Sequence, residues 1–281
     1  MAMSVQKIAA FSDGAVGGNP AGVWIGEALP PPAEMQRIAA DVGFSETAFA
    51  APLGSGWSVR YFSPESEVPF CGHATIALGA ALAQREGDGV FALSLAQAQI
   101  TVEGRHDGDL VQAALQSPPT RSAPLPQGLL DRLLTLFGIA PADLDPRIPP
   151  ALIHGGADHA VLVLRSRAVL AAMHYALDAG RTLMLEAGLV TVVLVVVESD
   201  QRLHTRNAFA SGGVLEDPAT GAATAALAGY LRDLGWPHGG AIDVVQGEDM
   251  GMRSRLRAEI GAVPGSSIRV SGTARWMRSD E

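Results

Sequence analysis

The chain has 281 residues, 48% of them hydrophobic and 17% charged, with a formal net charge of -9. That balance describes a folded protein with a large core and excludes disorder as the dominant state, which needs low hydrophobicity with high net charge. The acidic total and the lack of any Lys/Arg run exclude a non-specific nucleic-acid partner and give no handle on an anionic membrane, while the single cysteine, Cys71, excludes an internal disulfide and any Cys-rich metal site.

The length suits one large domain or two of about 140 residues each. A strand is expected at 5–11, then a Gly- and Pro-rich loop, DGAVGGNPAG, and a strand at 23–25. Prolines open a helix at 32–42 whose Met35, Ile38 and Ala39 share one face. Strands follow at 47–50 and 58–62, an Ala- and Leu-rich helix at 74–84, and strands at 90–95, 99–102 and 110–115.

Residues 117–127, SPPTRSAPLPQ, carry four prolines without hydrophobic periodicity and read as a linker. Beyond it come a helix at 129–137, a strand at 160–164, helical stretches within 168–187, and strands at 189–197 and 203–209. A second Ala-rich helix is expected at 222–234, then strands at 241–245, 256–260 and 268–270. The run at 189–197, LVTVVLVVV, has nine residues, too few for a bilayer span of about 20. No basic region followed by an apolar stretch marks a signal peptide near the first residues. The expectation is a soluble, cytoplasmic protein.

Two segments are alike. Residues 67–78 read EVPFCGHATIAL and residues 216–227 read EDPATGAATAAL, identical at seven of twelve places. Each sets a Pro three residues before a Gly that opens an Ala/Thr-rich helix. The first N–H groups of a helix have no intrahelical acceptor and sit at its positive dipole end, so such a turn suits a carboxylate. One copy alone is ordinary helix material; two at a domain-sized interval point to a duplicated binding element. GGNPAGV at 17–23 and GGADHAV at 155–161 are a weaker echo.

Together GGNPAGV (17–23), FSETAF (44–49), PFCGHAT (69–75) and EDPATGAA (216–223) resemble, in order and spacing, the hallmark segments of the PhzF-like phenazine-biosynthesis isomerases. The resemblance implies a diaminopimelate-epimerase-like α+β fold. That means two pseudo-symmetric domains, each a mostly antiparallel sheet wrapped round a central helix, with an active site between them. On that reading residues 1–116 form the first half, with 265–281 as a strand that could rejoin it, and 117–264 the second. It further implies proton transfer without cofactor or metal on a small carboxylate-bearing substrate, and a homodimer.

The resemblance carries the catalytic acid/base onto Glu46. A carboxyl between Phe44 and Phe49 suits proton transfer near neutral pH, although Ser-Glu-Thr is also good turn chemistry. It also carries a substrate-facing His onto His73, which can donate to a carboxylate, relay a proton or cap the helix. Asp217 either lines the pocket or caps the second helix. Asn19, Cys71, Gly72, Ala74, Gly221 and Ala222 complete the expected substrate contacts. Two-thiol epimerases of this fold need a second Cys where this chain has Thr220, so that mechanism is excluded. The rivals are an epimerase or racemase pairing Cys71 with a carboxylate, and a non-catalytic metabolite-binding protein of the same fold.

Overall fold

The computed structural model describes residues 5–108 and 110–278. Residues 1–4, 109 and 279–281, which fall within the ranges expected for the first domain, lie outside the described residues. Residues up to Gln116 and those from Ser271 onward form one compact unit, and Ser117–Val270 form the other.

In unit 1 the chain runs β1 (Gln6–Ser12), β2 (Asn19–Ile25), α1 (Pro32–Val42), β3 (Thr47–Leu53), β4 (Gly56–Phe62) and β5 (Glu67–Val68). Then come α2 (Gly72–Glu86), β6 (Gly89–Ser94), β7 (Gln99–Asp107) and β8 (Leu110–Gln116). The pairings are antiparallel for β1–β2, β3–β4, β6–β7 and β7–β8, and parallel for β2–β3 and β4–β6.

Unit 2 runs β9 (Arg121–Pro124), α3 (Gln127–Phe137), β10 (Ala151–His154), β11 (Asp158–Leu164), α4 (Arg167–Ala171), α5 (Leu177–Glu186), β12 (Thr191–Ser199) and β13 (Arg202–Ala208). It continues with α6 (Gly221–Asp233), β14 (Ala241–Gln246) and β15 (Ser254–Glu259); β16 (Arg269–Trp276), from Ser271 onward part of unit 1, is the last strand among the described residues. Here β10–β11, β12–β13 and β14–β15 are antiparallel, and β11–β12 and β13–β14 parallel. The order antiparallel, parallel, antiparallel, parallel, antiparallel is thus the same from β1 to β7, leaving out β5, as from β10 to β15. The faint GGNPAGV/GGADHAV echo sits at the β1–β2 and β10–β11 turns, which supports its being a true repeat.

The linker expected at 117–127 contains β9, which pairs with β10 at Arg121–His154 through Pro124–Ala151. Both strands escaped the sequence reading because β9 is exposed along its length and carries no alternation, and β10 is only four residues long. The last strand extends well past 268–270: from Thr273 to Trp276 it pairs antiparallel with β1.

In each unit the strands enclose one helix. In α2 every residue from His73 to Ala83 is buried, packed on β1, β2, β3, β6, β7 and β8. In α6 burial runs from Ala223 to Arg232, against β9, β10, β11, β14 and β15. A helix covered on all sides must be slim, which is why both are rich in Ala and Gly. At the tightest crossing, a Cβ on Gly104 of β7 would lie 2.3 Å from the Gly79 carbonyl oxygen and 2.8 Å from the Ala83 Cβ. The outer helices cover the other faces: α1 over Trp24, Phe49 and Phe62, and α3, α4 and α5 over β11 and β12. No helix among the described residues is long and apolar enough to cross a membrane.

Two stability measurements check this packing. Gly104→Ala should cost about 1–3 kcal/mol in urea unfolding, since α2 cannot retreat from β7 without opening the rest of the barrel-like wrap. The second concerns His159, which is fully buried on β11 with its Nδ1 2.7 Å from the Thr191 Oγ1. Burial pushes this imidazole down to about 3, so the fold holds it neutral while the unfolded chain protonates near pH 6.5. Its contribution is complete above that value and is lost as pH falls toward 3. Wild type should lose stability from pH 6.5 downward, and His159→Gln should flatten that decline.

Candidate functional site

The first repeat segment is a turn tied at both ends. Phe62 and Glu67 pair across the β4–β5 hairpin, and Arg60 on β4 grips Glu67 with two hydrogen bonds of 2.7 and 2.5 Å. The chain then passes Pro69 and Phe70 to Cys71, whose extended backbone (φ -143°, ψ 118°) precedes the first helical residue, Gly72. The Cys71 carbonyl accepts from the Thr75 N–H at 3.0 Å and from its hydroxyl at 2.7 Å. Since Thr75 has spent its proton there, the buried Tyr61 hydroxyl donates to Thr75 Oγ1 at 2.7 Å; desolvation raises this phenol far above its ordinary range. The start of α2 has no side-chain cap, and a Cβ built on Gly72 meets no atom within 4 Å. The turn is therefore rigid beneath and open above.

Three reactive groups meet at this helix start. Glu46 is the residue before β3, and its carbonyl is held by the Gly22 N–H at 3.1 Å. Its Oε2 lies 3.5 Å from His73 Nε2, which is also 3.3 Å from the Ser45 hydroxyl. The other ring nitrogen, Nδ1, is 3.3 Å from Cys71 Sγ. Side-chain exposure is 17% for Glu46 and 8% for His73, so Glu46 is the member nearest solvent. The aromatic flank read from the sequence is different in space. Phe49 turns to the α1 side, edge-on to Phe62 at 5.6 Å, and Phe44 lies beneath Lys7. The polar neighbour of the carboxyl is His73, whose Nε2 the Ser45 hydroxyl also approaches.

Unit 2 repeats the clamp. Arg206 on β13 holds Glu216, the counterpart of Glu67, at 3.0 and 2.6 Å, and its Nη1 donates to the Leu170, Ala171 and Met173 carbonyls. Asp217 follows, its N–H donating to the Asn207 carbonyl at 3.0 Å. The helix-capping position belongs to Thr220, not to Asp217: Thr220 has the extended backbone before Gly221, and its hydroxyl donates to the Asp217 carboxylate. Gln246, buried at the end of β14, donates to the Asp217 carbonyl at 2.7 Å and to Thr220 Oγ1 at 3.1 Å. Sequence reasoning missed Gln246, because a Gln closing an apolar strand carries no local signal.

The structure thus gathers Glu46, Cys71 and His73 at Gly72 in unit 1, and Asp217 at Gly221 and Ala222 in unit 2. Asn19 is buried where β2 begins, beside Gly18, whose φ of +88° and close approach to the Ala10 carbonyl leave no place for a side chain. Ala74 is fully enclosed and supports the turn from beneath. In unit 2 the residue before β12 is Val190, so Glu46 has no acidic counterpart there.

Residues 8–279 match the family described as phenazine biosynthesis-like protein. The chain is also 30% identical over 275 residues to a trans-2,3-dihydro-3-hydroxyanthranilate isomerase of Pseudomonas fluorescens, covering 94% of each. It belongs to the PhzF-like isomerase family. The fold agrees: a PhzF-family protein of Bacillus anthracis superposes with a TM-score of 0.86 at 21% identity, over 98% of this chain and 97% of that one. A probable proline racemase from Agrobacterium radiobacter K84 superposes at 0.65 and 14% identity, over 97% and 90% of the two chains. The diaminopimelate-epimerase-like architecture is therefore shared with that probable racemase as well as with PhzF-family proteins.

In this PhzF-like isomerase the two Arg–Glu clamps differ in burial, and that sets their weight. Arg60 and Glu67 are 29% and 39% exposed, Arg206 and Glu216 only 12% and 6%. Glu67→Ala should cost less than about 1 kcal/mol in urea unfolding. Glu216→Ala, which strands a buried guanidinium, should cost about 3–5 kcal/mol.

Proposed function

We propose that this isomerase moves a proton on a small carboxylate-bearing metabolite without a cofactor, with Glu46 as the general acid/base. The observation that supports this most is the placement of the Glu46 carboxyl, 3.5 Å from His73 Nε2 at the uncapped start of a helix. A carboxylate needs a partner to pass or share its proton, and an imidazole at that distance serves. The N–H groups behind Gly72 receive the substrate's acidic group and stabilise the negative charge that develops as the proton leaves carbon. His73 positions the Glu46 carboxyl, and within unit 2 Asp217, with Gly221 and Ala222, forms a polar set of its own. The family resemblance further supports a homodimer.

A second reading has one observation in its favour: Cys71 Sγ lies 3.3 Å from His73 Nδ1. A thiol that hands its proton to the neighbouring imidazole becomes a thiolate competent to act as base in an epimerase, and a probable proline racemase shares the fold.

Deuterium uptake separates them. Small carboxylic acids, among them the dihydro-3-hydroxyanthranilate named by the Pseudomonas relative, are incubated with enzyme in deuterated water. Solvent deuterium should appear at carbon with wild type and fall by about 100-fold or more with Glu46→Gln. Uptake that survives Glu46→Gln removes Glu46 from the chemistry. Inversion at carbon that disappears in Cys71→Ala establishes the epimerase, and tight binding with no uptake establishes a binding protein. Gly72→Ala should raise KM with unchanged thermal stability, because the added methyl meets only the space assigned to substrate.

A further inference from the structure

The buried end of β14 does more than support the turn beside it. Gln246 is 2% exposed, and it pairs with Thr205 of β13 and with Ser254 of β15. Its side-chain amide meets three residues of unit 2. Nε2 donates to the Asp217 carbonyl at 2.7 Å and to Thr220 Oγ1 at 3.1 Å. Oε1 accepts from the Thr220 N–H at 3.4 Å and from the Thr205 hydroxyl at 3.5 Å. Two donors and two acceptor sites are all that a primary amide has, and every one is engaged.

Two of these partners are main-chain groups that cannot change roles. A carbonyl only accepts and an N–H only donates, so the Gln246 amide has one allowed orientation. With Nε2 turned toward Thr220 Oγ1, the Thr220 hydroxyl accepts from the amide and sends its own proton to the Asp217 carboxylate. The chain therefore runs one way, from amide N–H to hydroxyl and from hydroxyl to carboxylate. A hydrogen bond donated to a carboxylate favours its charged form. The frame leaves little slack: a Cβ on Gly247 would lie 2.8 Å from the Pro218 carbonyl oxygen, so the backbone after Gln246 runs hard against the turn that carries Asp217. Neighbouring charges are paired within the unit. Arg206 holds Glu216 at 2.6 Å and lies 4.0 Å from Asp249, and Arg167 holds Glu248 at 3.0 Å.

We propose that Gln246 is a positioning residue, which acts through Thr220 to hold Asp217 as an ionised hydrogen-bond acceptor. Unit 2 then offers the substrate an acceptor and not an acid, which leaves proton delivery to Glu46. The supporting chain in unit 1 differs in where it ends: Tyr61 donates to Thr75, and Thr75 donates to the Cys71 carbonyl, a main-chain group. In unit 2 the chain ends on a reactive side chain. The consequence for catalysis rests on the reaction proposed above and on Asp217 meeting its substrate; the direction of the chain rests on neither.

The test follows the Asp217 carboxyl by 13C NMR in the full chain, labelled at the aspartate carboxyl carbons, with the signal assigned by its loss in Asp217→Asn. The observable is the pH at which that carboxyl titrates. Thr220→Val, which removes the donor, should raise the midpoint by about one pH unit, and Thr220→Ser, which keeps it, should retain the wild-type midpoint. Gln246→Met should raise it as well. The double variant Gln246→Met/Thr220→Val should go no higher than Thr220→Val alone, because the amide acts through the hydroxyl. Thermal unfolding of each variant shows whether it is folded. A folded Gln246→Met with an unchanged midpoint overturns the proposal, and so does a double variant whose rise is the sum of the two single rises. Equal midpoints in Thr220→Ser and Thr220→Val overturn it on their own, whether or not Gln246→Met folds. In the uptake assay, deuterium incorporation should fall in Gln246→Met and Thr220→Val and be kept in Thr220→Ser. Uptake lost in Asp217→Asn but untouched in Thr220→Val would overturn the catalytic consequence. Uptake untouched in Asp217→Asn would instead remove Asp217 from the reaction and count against that part of the reading, while the NMR result decides the chain.

Discussion

A helix surrounded by its own sheet has no solvent face, and both α2 and α6 are under that constraint. Their sides must be small enough for strands to close round them, as the 2.3 Å approach at Gly104 shows. Only their ends can meet water or a ligand. Because side chains are excluded from the helix flanks, the chemistry of each unit is forced to the N-terminal turn, where backbone N–H groups converge. The placement of the candidate site is thus a consequence of how the core is filled.

Holding such a turn open demands support from beneath. Unit 1 supplies it through Arg60–Glu67 and the Tyr61–Thr75–Cys71 chain of hydrogen bonds. Unit 2 keeps the Arg–Glu clamp but replaces the tyrosine chain by Gln246, which bridges Asp217 and Thr220. In this way the residues common to the two segments are accounted for by mechanics: Glu for the clamp, Gly for the helix start, Ala for slimness and Thr for the first helical turn. The residues that differ, Cys71 and His73 in one unit and Asp217 in the other, are the ones with reactive side chains.

Much of this was legible in the residues themselves. The Ala-rich helices, the strands that alternate or run apolar, and the doubled turn follow from local periodicity, and α1 occupies 32–42 as its prolines and Met35–Ala39 face require. Short-range pattern determined those elements because burial follows one regular period along each segment, continuous in α2 and alternating in β4. What only the tertiary structure decided lies in contacts between segments distant in sequence. The exposed β9 needs β10 to exist as a strand; Glu46 faces His73 and Cys71 because parallel β2–β3 pairing carries it to α2; and Gln246 joins Asp217 only when β14 lies beside β13. Each of these depends on strand order in the sheet, a quantity that no window of neighbouring residues contains.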